Sequence, residues 1–502
     1  MSKSTRLSVT FAVLIVLIFL VQIVAVASTV GAQEPSAGNS DTAKSTQTAK
    51  TSKKRKKKKT STTLSYVVLV GPTQTSASAA PVTIKPVSVT EATPPTPRNR
   101  SSAMRTPTIH VSPISTPVPE IVATSGQLII SEFRVRGPSG ANDEFIEIYN
   151  NSGADHTVTA FSGTGYGIAA SDGTTRCSIP NGTVIPNRGH YLCTNSGAYS
   201  LGGNATGDAT YAVDIPDNAG IALFNNNTGG GSYSLANRLD AVGSTSEANT
   251  TYKEGSGYPA LTPFSIDYSW VRDECGKGGA VNLLGPCTIS TPKDTDSNSV
   301  DFYFVDTNGT SAGGGQRLGA PGPENLASPI QRNALVTENS LDATVAKSNP
   351  PNRVRDFTSD PANNSTFGTL SIRRRFVNNT GANITRLRFR IIDLDTFPAA
   401  SGFADLRPRT SGPVVVAGIN DTATCLATGA PATPPCTATV QGTTLEQPPS
   451  QPNGGGFNST MSAGTVTLGT PLAPGASINV QFLLGIQQTG NFRIYINTEI
   501  LP

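Results

Sequence analysis

Few residues in this chain are of types that could do chemistry, and their spacing narrows the chemistry further. Only three histidines occur in 502 residues, His110, His156 and His190, and there is no H-E-x-x-H or Walker pattern. A hydroxyl or thiol nucleophile served by an imidazole base is therefore not expected. Carboxylates are the next candidates, and Asp143, Glu144 and Glu147 stand close together. On a strand, residues three apart point to opposite faces. Residues four apart share a face but lie ~13 Å from each other, beyond the roughly 5 to 9.5 Å of a glycosidase pair. A catalytic acid pair is not expected there.

The sharper chemical signal is Asp294-Thr295-Asp296-Ser297-Asn298-Ser299-Val300-Asp301, where oxygen-bearing side chains recur at every second position. Calcium loops space their ligands in this way, which makes Asp294, Asp296, Asn298 and Asp301 candidate ligands and calcium the one candidate cofactor. An EF-hand would carry glycine where Ser299 stands and a bidentate glutamate where Val305 stands. Two readings stay open, a calcium site and a polar loop that leads into the strand Val300 to Val305.

Six cysteines fall into three close pairs, Cys177 with Cys193, Cys275 with Cys287 and Cys425 with Cys436. None belongs to a C-x-x-C motif, so local disulfides are expected rather than zinc.

The elements that must position these residues are short strands. With 14% charged and 36% hydrophobic residues, 49 Gly and 37 Pro, the composition excludes a long coiled coil and indicates a turn-rich, all-β chain. Residues 1–32 read as a signal peptide or a retained N-terminal anchor: Lys3 and Arg6 precede an apolar run from Phe11 to Ala27. Either way the bulk of the chain is expected outside the cytoplasm, secreted or on the cell surface.

Residues 33–124 are rich in Ser, Thr, Ala, Pro and Lys and are expected to form a disordered tether. Up to His110 there are 15 Lys/Arg against Glu34, Asp41 and Glu91, leaving 23 basic against 31 acidic residues in the remainder. A basic arm thus precedes an acidic folded part, and nucleic acid is not an expected partner. The unbroken run Lys53, Lys54, Arg55, Lys56, Lys57, Lys58 and Lys59 is either a solvated tract or a contact for an anionic polymer or membrane surface.

Alternation at Leu128 to Val135 and at Asp143 to Asn150, with short apolar runs at Gly189 to Cys193, Gly220 to Phe224, Arg238 to Val242 and Val300 to Val305, predicts an antiparallel β-sandwich over 125–328. A second β-sandwich is expected over 333–502. Its strands are Phe367 to Val377, Ile384 to Leu394, Pro413 to Gly418, Thr437 to Leu445, Thr465 to Leu468, Ser477 to Ile486 and Phe492 to Ile500. Arg373 and Arg375, and Arg388 and Arg390, form basic stripes expected to face solvent, with partners among Asp393, Asp395 and Asp405.

The stretch LIISEFRVRGPSGANDEFIEIYNNSG, Leu128 to Gly153, resembles the lamin-tail domain, an immunoglobulin-like β-sandwich found in nuclear lamins and in secreted bacterial proteins. GIALFNNN at Gly220 to Asn227, NRLDAVG at Asn237 to Gly243 and LGAPGPENL at Leu318 to Leu326 are similar to later strands and the terminal turn of that family. The resemblance departs from the family at Gly165-Tyr166, where Gly-Trp is common, and 125–326 is longer than a minimal sandwich, so loop insertions or a further strand pair are required. The C-terminal unit looks like a tail that accompanies bacterial lamin-tail proteins, to which no activity is attached.

The scarcity of histidine and the lack of a convergent acid pair favour a non-enzymatic module that binds protein or glycan partners of the cell envelope or matrix; lamin heptads are absent, so a filament role does not carry over. The alternative is an exported hydrolase using carboxylates.

Overall fold

The structure, a computed structural model, describes residues 68–70, 126–260, 265–273, 292–309, 317–331, 335–428, 433–446 and 451–502. The chain is all-β. Among the described residues the only α-helices are the short turns Asn298–Asp301 and Thr422–Ala427.

In the first sandwich, Leu128–Arg134 and Phe145–Asn150 pair antiparallel, as their alternation predicts. They lie in the middle of a seven-stranded sheet, whose spatial order is Arg317–Leu318, Phe302–Asp306, Tyr268–Arg272, Leu128–Arg134, Phe145–Asn150, His190–Asn195 and Ala209–Tyr211. A four-stranded sheet of Arg238–Val242, Ile221–Phe224, Gly165–Ala170 and Thr175–Pro180 packs over one face. Gly165–Ala170 and Thr175–Pro180 form an antiparallel hairpin within this sheet. Leu128, Ile130, Phe133, Ile146, Ile148, Trp270 and Phe304 form the core against Ile168, Ile179, Ile221 and Leu223. Removing this apolar area from water is the main stabilising term.

The pairing of the two central strands is irregular at one point. Ile130 pairs with Ile148 but Glu132 pairs with Glu147, so Ser131 is an extra residue, a β-bulge. The inward residues are accordingly Leu128, Ile130 and then Phe133. The alternation slips by one, and Ser131 and Glu132 both turn to the outer face of the sheet.

Of the strands predicted for the second sandwich, Phe367 to Val377, Ile384 to Leu394, Ser477 to Ile486 and Phe492 to Ile500 form its two sheets with shifts at their ends, whereas Pro413 to Gly418 pairs apart from them, with Cys436–Val440. One sheet contains Val68–Val70, Ile494–Leu501, Arg386–Leu394, Thr460–Ser462 and Thr444–Leu445, with Ile330–Gln331 also on Ile494–Leu501. The other contains Val336–Ser340, Thr369–Asn378, Ser477–Gln488 and Asp405–Arg409, with Arg353–Asp356 also on Thr369–Asn378. Leu370, Ile372, Phe376, Leu387, Phe389, Ile391, Val480, Phe482, Leu484, Ile494 and Ile496 fill the core between them.

Three expectations are corrected. Thr465 to Leu468 is not a strand; the pairing segment is Thr460–Ser462, and Leu468 sits in a loop with 84% exposure. Val300 to Val305 is not strand throughout, because Asn298–Asp301 is a helical turn and the strand is Phe302–Asp306. Within 33–124, Val68–Val70 pairs in parallel with Ile494 to Ile496.

The Cys177–Cys193 and Cys425–Cys436 disulfides form within their predicted pairs; Cys275 and Cys287 lie outside the described residues. Cys177 belongs to the four-stranded sheet and Cys193 to the seven-stranded one, so this bond ties the two layers across the core. Cys425–Cys436 ties the turn Thr422–Ala427 to the hairpin Val414–Ile419/Cys436–Val440. Replacing Cys177 and Cys193 together by alanine is expected to lower stability by about 2 to 4 kcal/mol in urea denaturation, whereas a loss below about 1 kcal/mol would mean that the layers hold without the bond. The two disulfides fit an oxidising environment. Among the described residues no helix is long and apolar enough to cross a membrane.

Candidate functional site

A dense cluster of ionisable groups lies where the outer faces of the two sandwiches meet. From the first sandwich, the bulge presents Ser131 and Glu132, the adjacent strand presents Glu147, and the next presents His190. From the second, Arg388 and Arg390 stand on the outer side of Arg386–Leu394, opposite the core residues Leu387, Phe389 and Ile391, while Glu499 comes from the neighbouring strand. Between them runs the connecting segment Leu318 to Glu324, buried along its whole length. Tyr303, Val271 and Val305 pack against Phe457 beside it, making a small apolar contact that also spans the two units.

The connecting segment carries glycine where a side chain would collide. A Cβ on Gly322 would lie 2.7 Å from Arg390 Nη1, and one on Gly319 would lie 2.5 Å from the Phe457 carbonyl. These close approaches let Glu324 reach both sandwiches. Its carboxylate lies 3.0 Å from His190 Nε2 on one side and pairs with Arg388 and Arg390 on the other.

The geometry is that of a buried ionic clamp. Glu499 accepts from Arg388 Nε at 2.6 Å and from Arg390 Nε at 2.8 Å. Arg390 Nη1 donates to Asn458 Oδ1 at 2.6 Å, and Asn458 Nδ2 donates to Glu132 at 3.0 Å. Glu132 also accepts from Ser269 Oγ at 2.6 Å and from the Gly322 amide at 2.9 Å. Glu147 accepts from Ser131 Oγ and from the Glu324 amide, and lies 3.0 Å from His190 Nδ1, an approach whose angles fall outside those of a hydrogen bond. Four carboxylates therefore share two guanidinium groups and one imidazole.

Burial sets the electrostatics. Glu132 and Glu147 are directly opposite across two strands, a like-charge arrangement that is unfavourable by itself. Loss of solvation, followed by the charge of Glu147, pushes the Glu132 carboxyl up to about 7. Glu499 is equally buried, yet Arg388 and Arg390 outweigh the loss of solvation and hold it below the usual carboxylate range. A cavity of about 50 Å³ lies among these groups, lined also by Tyr149, Arg188 and Asn497. Glu147, His190 and Glu324 could together ligate a metal ion, but Arg388 and Arg390 already supply positive charge to Glu324.

This placement corrects the expectation for the basic stripes. Arg388 and Arg390 are buried, not solvent-facing, and their partners are Glu324 and Glu499 rather than the nearby aspartates. Asp393 pairs instead with Arg493, and Asp405 with Arg407. On Thr369–Asn378 the buried member is Arg374, in phase with Leu370, Ile372 and Phe376 and paired with Glu338, while Arg373 and Arg375 are half-buried.

The other acids singled out by sequence separate from one another. Asp143 pairs with buried Arg134, and Glu144 accepts from Asn195 Nδ2 at 2.8 Å and the Ile215 amide at 2.7 Å. Burial pushes Glu144 up to about 8. Of the three, only Glu147 joins the junction.

The Asp294 to Asp301 segment does not gather its four oxygens around one point. Asp301 accepts from the amides of Thr295 and Ser297 and from Thr295 Oγ1, closing the turn on itself. Asn298 is buried, donates to the Ala241 carbonyl, and accepts from the Gly243 and Glu254 amides. Asp296 is exposed at a positive φ of 54°, and Asp294 turns towards Arg272. The basic run Lys53 to Lys59 lies outside the described residues.

Local spacing had no means of signalling the junction, apart from a polar Ser131-Glu132 pair interrupting an apolar run. Comparison with known proteins adds no family: no family model, no curated protein and no solved structure matches this chain.

Proposed function

We propose that this protein is an exported, non-enzymatic binding protein of the lamin-tail type, in which two joined β-sandwiches present loops and grooves to protein or glycan partners. One observation carries the reading: the side chains best suited to chemistry are engaged with one another inside the junction, around a cavity of about 50 Å³. Sites for small ligands run to roughly 300 to 1,000 Å³. The stretch that carries the lamin-tail resemblance, Leu128 to Gly153, is also the stretch that supplies Ser131, Glu132 and Glu147 to this junction. Its motif thus has a structural role that needs no substrate.

A partner has room elsewhere. A more open groove of about 280 Å³ on the second sandwich is lined by Arg386, Glu446, Ser462, Thr467 and the exposed Leu468. Mixed polar and apolar lining of this kind suits a peptide or glycan segment. The basic run of the arm would add salt-sensitive contact with an anionic envelope polymer or lipid surface.

The test uses the full chain on a glycan array and on a panel of matrix proteins. For any ligand found, Leu468→Asp and Arg386→Glu should each weaken binding by about tenfold or more while leaving the melting temperature within a few degrees. A hydrolase is the second reading, favoured by Glu132 held near 7 opposite Glu147. Turnover of an ester, glycoside or peptide substrate that disappears in Glu132→Gln would overturn the non-enzymatic assignment.

A further inference from the structure

A second cluster of acids, separate from the junction, gathers where the rim of the four-stranded sheet meets the segment before Asn298–Asp301. Asp240 comes from the strand Arg238–Val242, Glu254 from the loop after Thr250–Tyr252, and Asp294 from the segment leading to the helical turn. One carboxylate oxygen from each lies within 4.8 Å of the other two. Calcium holds its oxygens at 2.3 to 2.6 Å, so two oxygens on one ion can stand no more than about 5 Å apart. The spacing already meets that requirement.

Of the three carboxylates, Glu254 keeps an oxygen that accepts from no donor, whereas both oxygens of Asp240 already accept hydrogen bonds. Asp240 Oδ2 is taken by the Ile130 amide and by Arg272 at 2.7 Å, while Oδ1 accepts from the Ala241 amide. Glu254 Oε1 faces Arg238 at 3.2 Å. Glu254 Oε2 is buried and has no hydrogen-bond partner among the described residues, in a residue only 3% exposed. Asp294 Oδ1 faces Arg272 at 3.2 Å, and its side chain is 19% exposed, opening the cluster to solvent. A buried acceptor without a donor is costly, and a cation would satisfy it.

Charge points the same way. Four acidic side chains, Asp240, Glu254, Asp294 and nearby Asp301, stand against two basic ones, Arg272 and Arg238. The donors are all oxygen, which selects a hard cation over zinc or copper. We propose that Asp240, Glu254 and Asp294 hold one calcium ion, with Arg272 and Arg238 positioning the carboxylates. The ion would lock the strand Arg238–Val242 to the segment carrying Asp294. This ligand set shares only Asp294 with the one read from local spacing; Asp301 and Asn298 are engaged in closing the turn.

The test is a calorimetric titration of the full chain with calcium after chelator treatment, alongside its melting curve. Binding of one ion per chain with a dissociation constant of millimolar or tighter, and a melting temperature that rises with saturation, is expected. Glu254→Gln keeps the shape of the side chain and should remove both the heat and the shift. Asp294→Asn should weaken binding at least tenfold, and Asp296→Ala should leave it unchanged. Circular dichroism of each variant without calcium separates lost binding from lost folding. Absence of heat and shift at millimolar calcium would overturn the proposal, and so would binding that survives Glu254→Gln but is lost in Asp296→Ala.

Discussion

Arg390→Leu is expected to destabilise the protein by about 3 to 5 kcal/mol, the range seen when one partner of a buried ion pair is removed and the other is left uncompensated. The guanidinium bonds Glu499, pairs with Glu324 and holds Asn458, which in turn bonds Glu132. Leucine fills part of the volume but leaves Glu324 and Glu499 to Arg388 alone. The internal comparison is Arg386→Leu. Arg386 also pairs with a glutamate, Glu446, but its side chain is 42% exposed, where such pairs contribute roughly 0 to 1 kcal/mol. Denaturant titration of both variants decides the matter: equal losses would mean that the junction is no more than a wetted contact. Because the cluster joins two cores, Arg390→Leu should also split a single unfolding transition into two, as the sandwiches lose their coupling.

Glu132 gives the second large effect, and its sign is fixed by the direction of its shift. Its carboxyl is raised to about 7 in the folded chain, whereas the unfolded chain titrates near the ordinary 4.5. Below about 4.5 both states hold the proton, and the stability is fully present. Between 4.5 and 7 the unfolded state has released its proton and the folded state has not, so stability falls as pH rises, by about 1.4 kcal/mol per pH unit. The loss is complete above about 7, at roughly 3 kcal/mol. Other buried acids contribute with the same sign, Asp395 through a carboxyl pushed by burial to about 6 and Glu144 through one pushed to about 8. Comparison of wild type with Glu132→Gln isolates the one group. The variant should show a shallower slope between pH 5 and pH 7 by about 1 kcal/mol per unit, and parallel curves would mean that Glu132 is ionised throughout. The junction would then weaken as the medium turns from mildly acidic to alkaline.

Much of the architecture is written locally. Alternation over Leu128 to Val135, Asp143 to Asn150 and Phe367 to Val377 places strands to within a few residues, because a period of two is a property of the extended backbone itself. Two of the three cysteine pairings follow from spacing alone, since separations of 16 and 11 leave few other partners in reach. The calcium loop shows the limit of the same reasoning. Alternate oxygens converge only if the backbone turns in a particular way, and here Asn298 and Asp301 were drawn into closing a helical turn and bonding to the neighbouring strand.

What tertiary structure alone decided is which polar faces meet water. A strand with Leu387, Phe389 and Ile391 on one side and Arg388 and Arg390 on the other reads as half-solvated, and local sequence looks the same whether that second face meets solvent or another charged sheet. Its cover comes from Glu324 and from Glu132 and Glu147, the latter two more than two hundred residues away in the chain; Glu132 and Asn458, which bond across the junction, are 326 residues apart. The bulge at Ser131 adds a second hidden decision, because one unpaired residue carries Glu132 from the core side to the junction side without changing the composition of the strand. Charge complementarity between distant faces is a property of the assembled sheets. Hydrophobic periodicity determined the layers, and burial between the layers turned surface-like charges into the clamp that joins them.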